Sequence, residues 1–152
     1  MRILLIEDDS SKRQKIMNHI NSFISDDSIV SEKESLRSGL KEILHGEKLD
    51  LILLDMSMPS FDIGTDEPGG GTPESFAGEE LMAQMKLRSI IIPVIVITQY
   101  DSFEEGRVTL NDLSAKFEQE FNEFYLGSVY YNSAVDSWKT ELEKYLTTAL
   151  GK

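Results

Sequence analysis

The apolar runs of this chain are continuous rather than alternating. Arg2-Ile3-Leu4-Leu5-Ile6 runs into Glu7-Asp8-Asp9, Leu51-Ile52-Leu53-Leu54 into Asp55, and the stretch from Ile90 to Ile97 into Thr98. A strand with one wet face alternates apolar and polar positions, so a continuous run belongs to a strand covered on both faces, as in a parallel sheet. The residues that close the runs carry the second constraint. A carboxylate is expensive to bury, so Glu7, Asp8, Asp9 and Asp55 should emerge at strand tips. In an open α/β sheet, ligands bind at the strand tips around the topological switch point. Two acid-tipped strands at that edge make one pocket of three or four carboxylates, which needs a divalent cation or shifted pKa values.

Helical patterns separate the runs. After the strand Arg2 to Ile6, a helix is expected over Ser10 to Ile24, with Ile16, Ile20, Phe23 and Ile24 at helical spacing and Asp9 or Ser10 as its cap. Ser28 to Ser31 reads as a short strand suited to a sheet edge, and Glu34 to Leu44 as a helix stopped by Gly46. Leu49 to Asp55 is the third strand, Glu79 to Leu87 a helix and Ile90 to Thr98 the fourth strand. Leu110, Leu113, Phe117 and Phe121 put a helix in the latter part of Asp101 to Glu123. Phe124 to Tyr131 reads as the last strand, and Ser133 to Leu150 as a closing helix. The order is β-α five times over, and right-handed crossovers turn that order into a doubly wound sheet. The polar stretch from Pro59 to Ala77, with Gly64, Pro68, Gly69, Gly70, Gly71 and Pro73, is an insertion loop over about residues 60–77, beside the acidic pocket.

A length of 152 residues fits a single domain over residues 1–152. The formal charge of −12 repels phosphate backbones, so no direct nucleic-acid partner is expected. There is no cysteine, hence no disulfide frame and no thiol chemistry. No basic leader precedes a long apolar segment, and no apolar stretch is long enough to span a bilayer. A cytoplasmic protein without a membrane partner is the expectation.

Four segments, taken together, resemble the receiver domain of two-component response regulators. Leu4-Leu5-Ile6-Glu7-Asp8-Asp9 is similar to that family's first strand with its acidic pair. Leu53-Leu54-Asp55-Met56-Ser57-Met58-Pro59 is similar to its phosphoacceptor motif, and Val94-Ile95-Val96-Ile97-Thr98 to its fourth strand with a terminal hydroxyl residue. Gly78-Glu79-Glu80-Leu81-Met82 resembles the start of the family's third helix. The resemblance spans nearly the whole chain. It implies a flavodoxin-like, five-stranded parallel sheet of strand order 2-1-3-4-5. It also implies that Asp55 accepts a phosphoryl group as an acyl phosphate. Asp8 and Asp55 then ligate Mg²⁺ directly, Glu7 acts largely through water, and the Ser57 carbonyl adds an oxygen. Thr98 donates its hydroxyl to a phosphoryl oxygen. A histidine kinase or phosphotransfer protein is the implied donor and an unknown output protein the receiver of the signal; the chain is a phosphoacceptor that promotes its own phosphorylation, not a conventional enzyme.

Each residue has a plainer reading. Asp55 caps a strand end, the N-terminal acids solvate a helix N-terminus, and Thr98 is a good strand residue. Tyr130, Tyr131 and Trp138 are either core or interface residues.

The chain departs from the family pattern in three places. The family ends its fifth strand with a Lys that pairs with the acids and later with the phosphoryl group. Here Tyr125-Leu126-Gly127-Ser128-Val129-Tyr130-Tyr131-Asn132 holds no cation, and Tyr130 or Tyr131 takes the place. Tyrosine donates a hydrogen bond but carries no positive charge, so slow phosphorylation is expected. Gln99 stands where the family prefers a small side chain, and a larger group obstructs access to Asp55. The third departure is the insertion. These departures keep a second function open, a pseudo-receiver that acts as a phosphorylation-independent interaction module. A third, an Asp-nucleophile phosphohydrolase, wants an acid two residues after the nucleophile, where this chain has Ser57.

Overall fold

The computed structural model describes residues 1–24, 27–59, 73–74, 76–103 and 106–150. Five parallel strands form the central sheet: β1 (Arg2–Ile6), β2 (Ile29–Lys33), β3 (Leu51–Leu54), β4 (Val94–Thr98) and β5 (Tyr125–Tyr130). Their order is β2-β1-β3-β4-β5, as the resemblance implies. Helices α1 (Ser10–Phe23), α2 (Leu36–His45), α3 (Ala77–Leu87), α4 (Leu110–Glu120) and α5 (Ser137–Leu150) alternate with them.

Side chains on a strand point alternately to the two faces, and here both faces are covered. Ile3, Leu5, Leu51, Leu53, Ile95, Ile97 and Val129 pack with Ile16 and Ile20 of α1 and with Trp138, Leu142 and Leu146 of α5. Leu4, Ile6, Ile52, Leu54, Val94 and Val96 pack on the opposite side with Leu81, Met82 and Met85 of α3 and Leu113 and Phe117 of α4. That double cover is why the strands read as unbroken apolar runs.

Register positions the strand tips. Ile6 lies opposite both Lys33 of β2 and Leu54 of β3, so β1 and β3 end level. β4 continues two residues past Val96, the partner of Leu54, and ends at Thr98.

Several boundaries differ from expectation for local reasons. β4 begins at Val94, not Ile90: Pro93 has no N–H to enter a ladder, although its carbonyl still accepts from the Ile52 N–H at 2.9 Å. α2 begins at Leu36 because Ser35 is its cap, accepting from the Ser38 N–H at 3.1 Å. β2 runs on to Lys33, whose carbonyl takes the Glu7 N–H. α5 starts at Ser137 rather than Ser133, since the Asn132 side chain accepts from the Ala134 N–H and holds a turn there. Residues 60–72 and 75 of the insertion loop lie outside the described residues. Pro73–Glu74 pairs antiparallel with Met58–Pro59. Among the described residues, no helix is long and apolar enough to cross a membrane.

Candidate functional site

The level tips of β1 and β3 bring Glu7, Asp8 and Asp55 together, with one carboxylate oxygen of each within 4.8 Å of the others. Glu7 and Asp55 are buried, at 1% and 4% exposure, while Asp8 is half-buried. Asp9 caps α1, its side chain accepting from the Lys12 N–H at 3.0 Å, and so stays out of the cluster. The Asp55 backbone N–H donates to the Ile6 carbonyl at 3.2 Å, and its Oδ1 accepts from the Met56 N–H at 2.7 Å.

A cation lies among these acids although the fifth strand supplies none. Lys12 of α1 is 2% exposed, and its Nζ sits 2.5 Å from Glu7 Oε1, 3.3 Å from Asp55 Oδ1 and 2.9 Å from the Ile97 carbonyl at the end of β4. These three acceptors match the three N–H donors of an ammonium. The expectation of a pocket without a positive charge is therefore corrected. The signal was in the sequence: Lys12, Ile16 and Ile20 are four apart and form the buried stripe of α1. Lysine is rarely buried unless paired, which is why a stripe read by hydropathy starts at Ile16.

The structure also decides between the two tyrosines. Tyr130 is 41% exposed, whereas Tyr131 is buried, packs on Trp138 with ring centroids 5.0 Å apart, and donates its N–H to the Thr98 carbonyl at 2.7 Å. Lys12 Nζ lies 5.7 Å from the Tyr131 ring centroid. Tyr131 and Trp138 are thus core residues, and Tyr131 stands beside the end of β4. Thr98 is fully buried, and its Oγ1 accepts from the Tyr100 N–H at 3.2 Å, which leaves the hydroxyl proton to be donated elsewhere. Ser57 is half-buried in the segment leaving β3. Gln99 is exposed, and its amide donates to the Tyr100 hydroxyl at 3.3 Å rather than into the acidic cluster.

Electrostatics follow from burial. Desolvation pushes the Glu7 carboxyl up to about 8, even though the Lys12 ammonium holds it down; the Asp55 charge adds to the rise. Asp8 is raised by burial first and by Asp55 second. Glu7 is also committed on both oxygens, since Oε2 accepts from the Asp9 N–H at 3.1 Å while Oε1 faces Lys12. On Asp55, Oδ1 takes both the Met56 N–H and Lys12, so Oδ2 is the oxygen left for chemistry.

Gly78 opens the path of α3 across this loop. Its N–H donates to the Met56 carbonyl at 3.1 Å, and a Cβ there would lie 2.5 Å from the Asp55 carbonyl oxygen and 3.1 Å from Met56 Cα. Both are backbone atoms, so Gly78→Ala has to shift the Asp55 segment or α3. A loss of about 1–3 kcal/mol in denaturant unfolding is expected; a variant within about 0.5 kcal/mol of the parent would show that the approach is looser.

No protein-family model matches the chain. It is 31% identical over 148 residues to the uncharacterized protein y4jR of Sinorhizobium fredii (strain NBRC 101917 / NGR234), covering 94% of this chain and 95% of that one. It is 25% identical over 146 residues to the Detocs response regulatory protein DtcB of Enterobacter cloacae (strain JD6301), covering 95% and 97%. Among solved structures, the response regulatory domain of protein mrkE from Klebsiella pneumoniae superposes with a TM-score of 0.65 at 18% identity, covering 99% and 96%. With a five-stranded sheet of order 2-1-3-4-5, acids at the tips of its first and third strands, and relatives that match over nearly their whole length, the chain has the response regulator receiver-domain fold and belongs to one family with y4jR, with DtcB among its homologues.

Proposed function

We propose that Asp55 accepts a phosphoryl group from the phosphohistidine of a histidine kinase or phosphotransfer protein, and that the modified protein signals by binding an output protein. One observation carries this reading: Asp55 leaves the tip of β3 with Oδ1 anchored by the Met56 N–H and Lys12, so that Oδ2 is the nucleophile. That oxygen attacks phosphorus, an Asp55–phosphorus bond forms, and the bond to the donor nitrogen breaks, its electron pair leaving with the imidazole. Thr98 donates its free hydroxyl proton to a phosphoryl oxygen, which ties the modification to the segment after β4.

The cluster suits Mg²⁺. Its donors are all oxygens, and the one ammonium, Lys12, pairs with two of the three acids, leaving negative charge to be balanced. Asp8 and Asp55 would hold the ion, with the Ser57 carbonyl beside them. Glu7, engaged by Lys12 and the Asp9 N–H, would act through water. When bound, the ion neutralises charge on the phosphoryl oxygens. Asp8→Ala removes a unit charge at contact distance, so Mg²⁺ affinity is expected to fall about a hundredfold or more in a titration. Unchanged binding would move the site away from Asp8.

The test of the function is direct. The protein is incubated with Mg²⁺ and acetyl phosphate, or with a phosphorylated histidine donor, and its intact mass is measured. One added phosphoryl group is expected. A protein that gains none from either donor overturns the reading and leaves the interaction module, which the burial of Asp55 favours.

A further inference from the structure

We propose that Lys12, carried by α1, is the cation that contacts the transferred phosphoryl group, in place of a lysine at the end of the fifth strand. The inference rests on Asp55 being the acceptor and adds the residue that makes acceptance effective.

The position of Nζ supports this role. It lies on the side of Asp55 that faces β4 and β5, bound to the Ile97 carbonyl and set near the Tyr131 ring. Asp8 follows Glu7 at the tip of β1, in the same cluster. Asp8 and Asp55 would hold a metal, while Glu7 and the Ile97 carbonyl hold the ammonium, so the two cations would draw on different partners besides Asp55. Nζ already touches Asp55 Oδ1 at 3.3 Å, so oxygens of a phosphoryl group on this carboxylate come within its reach. Of its three contacts, those to Glu7 and Ile97 stay in place and hold Nζ still, while the Asp55 contact is exchanged for a phosphoryl oxygen. Lys12 stays protonated throughout, and no atom of it is transferred.

The rest of the pocket is arranged around this origin of the charge. Asp9 caps α1 through the Lys12 N–H, fixing the first turn from which the side chain departs. Arg13 bonds the Glu7 carbonyl at 2.8 Å and pairs with Glu32 and Glu34, holding the same turn against the end of β2. Tyr131, directly after β5, sets an uncharged ring 5.7 Å from Lys12 Nζ. A second lysine there would set two ammonium groups against each other.

The test compares the full chain, Lys12→Met and the double variant Lys12→Met/Tyr131→Lys. All are labelled by acetyl phosphate with Mg²⁺, followed by intact mass against time. Acetyl phosphate donates by breaking its phosphorus–oxygen bond, with acetate as leaving group. Removing one preorganised charge partner slows such a step by about a hundredfold or more, so Lys12→Met is expected to label that much more slowly. The double variant, with the charge returned from β5, is expected to recover at least about tenfold of that loss. A role in folding alone would not give that recovery. Lys12→Met labelling as fast as the parent overturns the proposal, as does a folded double variant that stays as slow as Lys12→Met. Should Lys12→Met lose its cooperative unfolding transition, the double variant decides: labelling within about tenfold of the parent supports the proposal, and background labelling overturns it. A parent protein that does not label at all is a different failure, that of Asp55 as acceptor, and it takes this proposal with it.

Discussion

Asp55→Asn is expected to abolish phosphoryl incorporation completely, whatever the donor. The substitution keeps the shape of the side chain and an acceptor oxygen for the Met56 N–H, which stands 2.7 Å from Oδ1. It replaces the remaining carboxylate oxygen with an amide nitrogen whose lone pair is delocalised and which makes a poor nucleophile. Among the described residues, two of the neighbouring acids are committed elsewhere. Glu7 is engaged on both oxygens by Lys12 and the Asp9 N–H, and its carboxyl is held up by burial. Asp9 is spent as the cap of α1. Intact mass after incubation with Mg²⁺ and donor is the measurement, and an Asp55→Asn protein that still gains one phosphoryl group would place the acceptor elsewhere. The variant should remain folded, because the buried cluster loses one carboxylate while Lys12 keeps Glu7 and the Ile97 carbonyl.

The largest effect on stability is expected at Phe117. Its side chain is fully buried on the α4 side of the sheet, with ring centroids 5.8 Å from Phe121 and 5.5 Å from Tyr125, the latter edge-on. Phe117→Ala forfeits the transfer energy of the ring and leaves a cavity between α4 and β5, a loss of about 3–5 kcal/mol. For a chain of this size that corresponds to roughly 6–20 °C in the unfolding midpoint. A loss below about 1 kcal/mol would mean that the site collapses around the smaller side chain or that α4 packs less closely. Because α4 follows the segment leaving Thr98, the same variant should also loosen whatever signal passes from the acidic cluster through that segment.

Local pattern determined a great deal about this protein. The five strands, the five helices that follow them and the emergence of Glu7, Asp8 and Asp55 at strand tips all follow from where apolar runs start and stop. Burial of both sheet faces and the high cost of a buried carboxylate are rules that act within a few residues. Asp9 as a helix cap was legible for the same reason. The cation was not. Lys12 is 85 residues from Ile97, and although it continues the Ile16 and Ile20 stripe, nothing local says that its charge is matched by Asp55 and the Ile97 carbonyl across the pocket. A lone lysine on an apolar stripe reads as solvent-facing until its partners are placed. The choice between Tyr130 and Tyr131 was likewise beyond local pattern. Val94 pairs with Tyr125 but Ile95 pairs with Gly127, so one extra residue, Leu126, shifts the register of β5. A shift of one residue exchanges inward and outward side chains. It sends Tyr130 to solvent and Tyr131 beside Lys12, and only the pairing of β5 with β4 decides it.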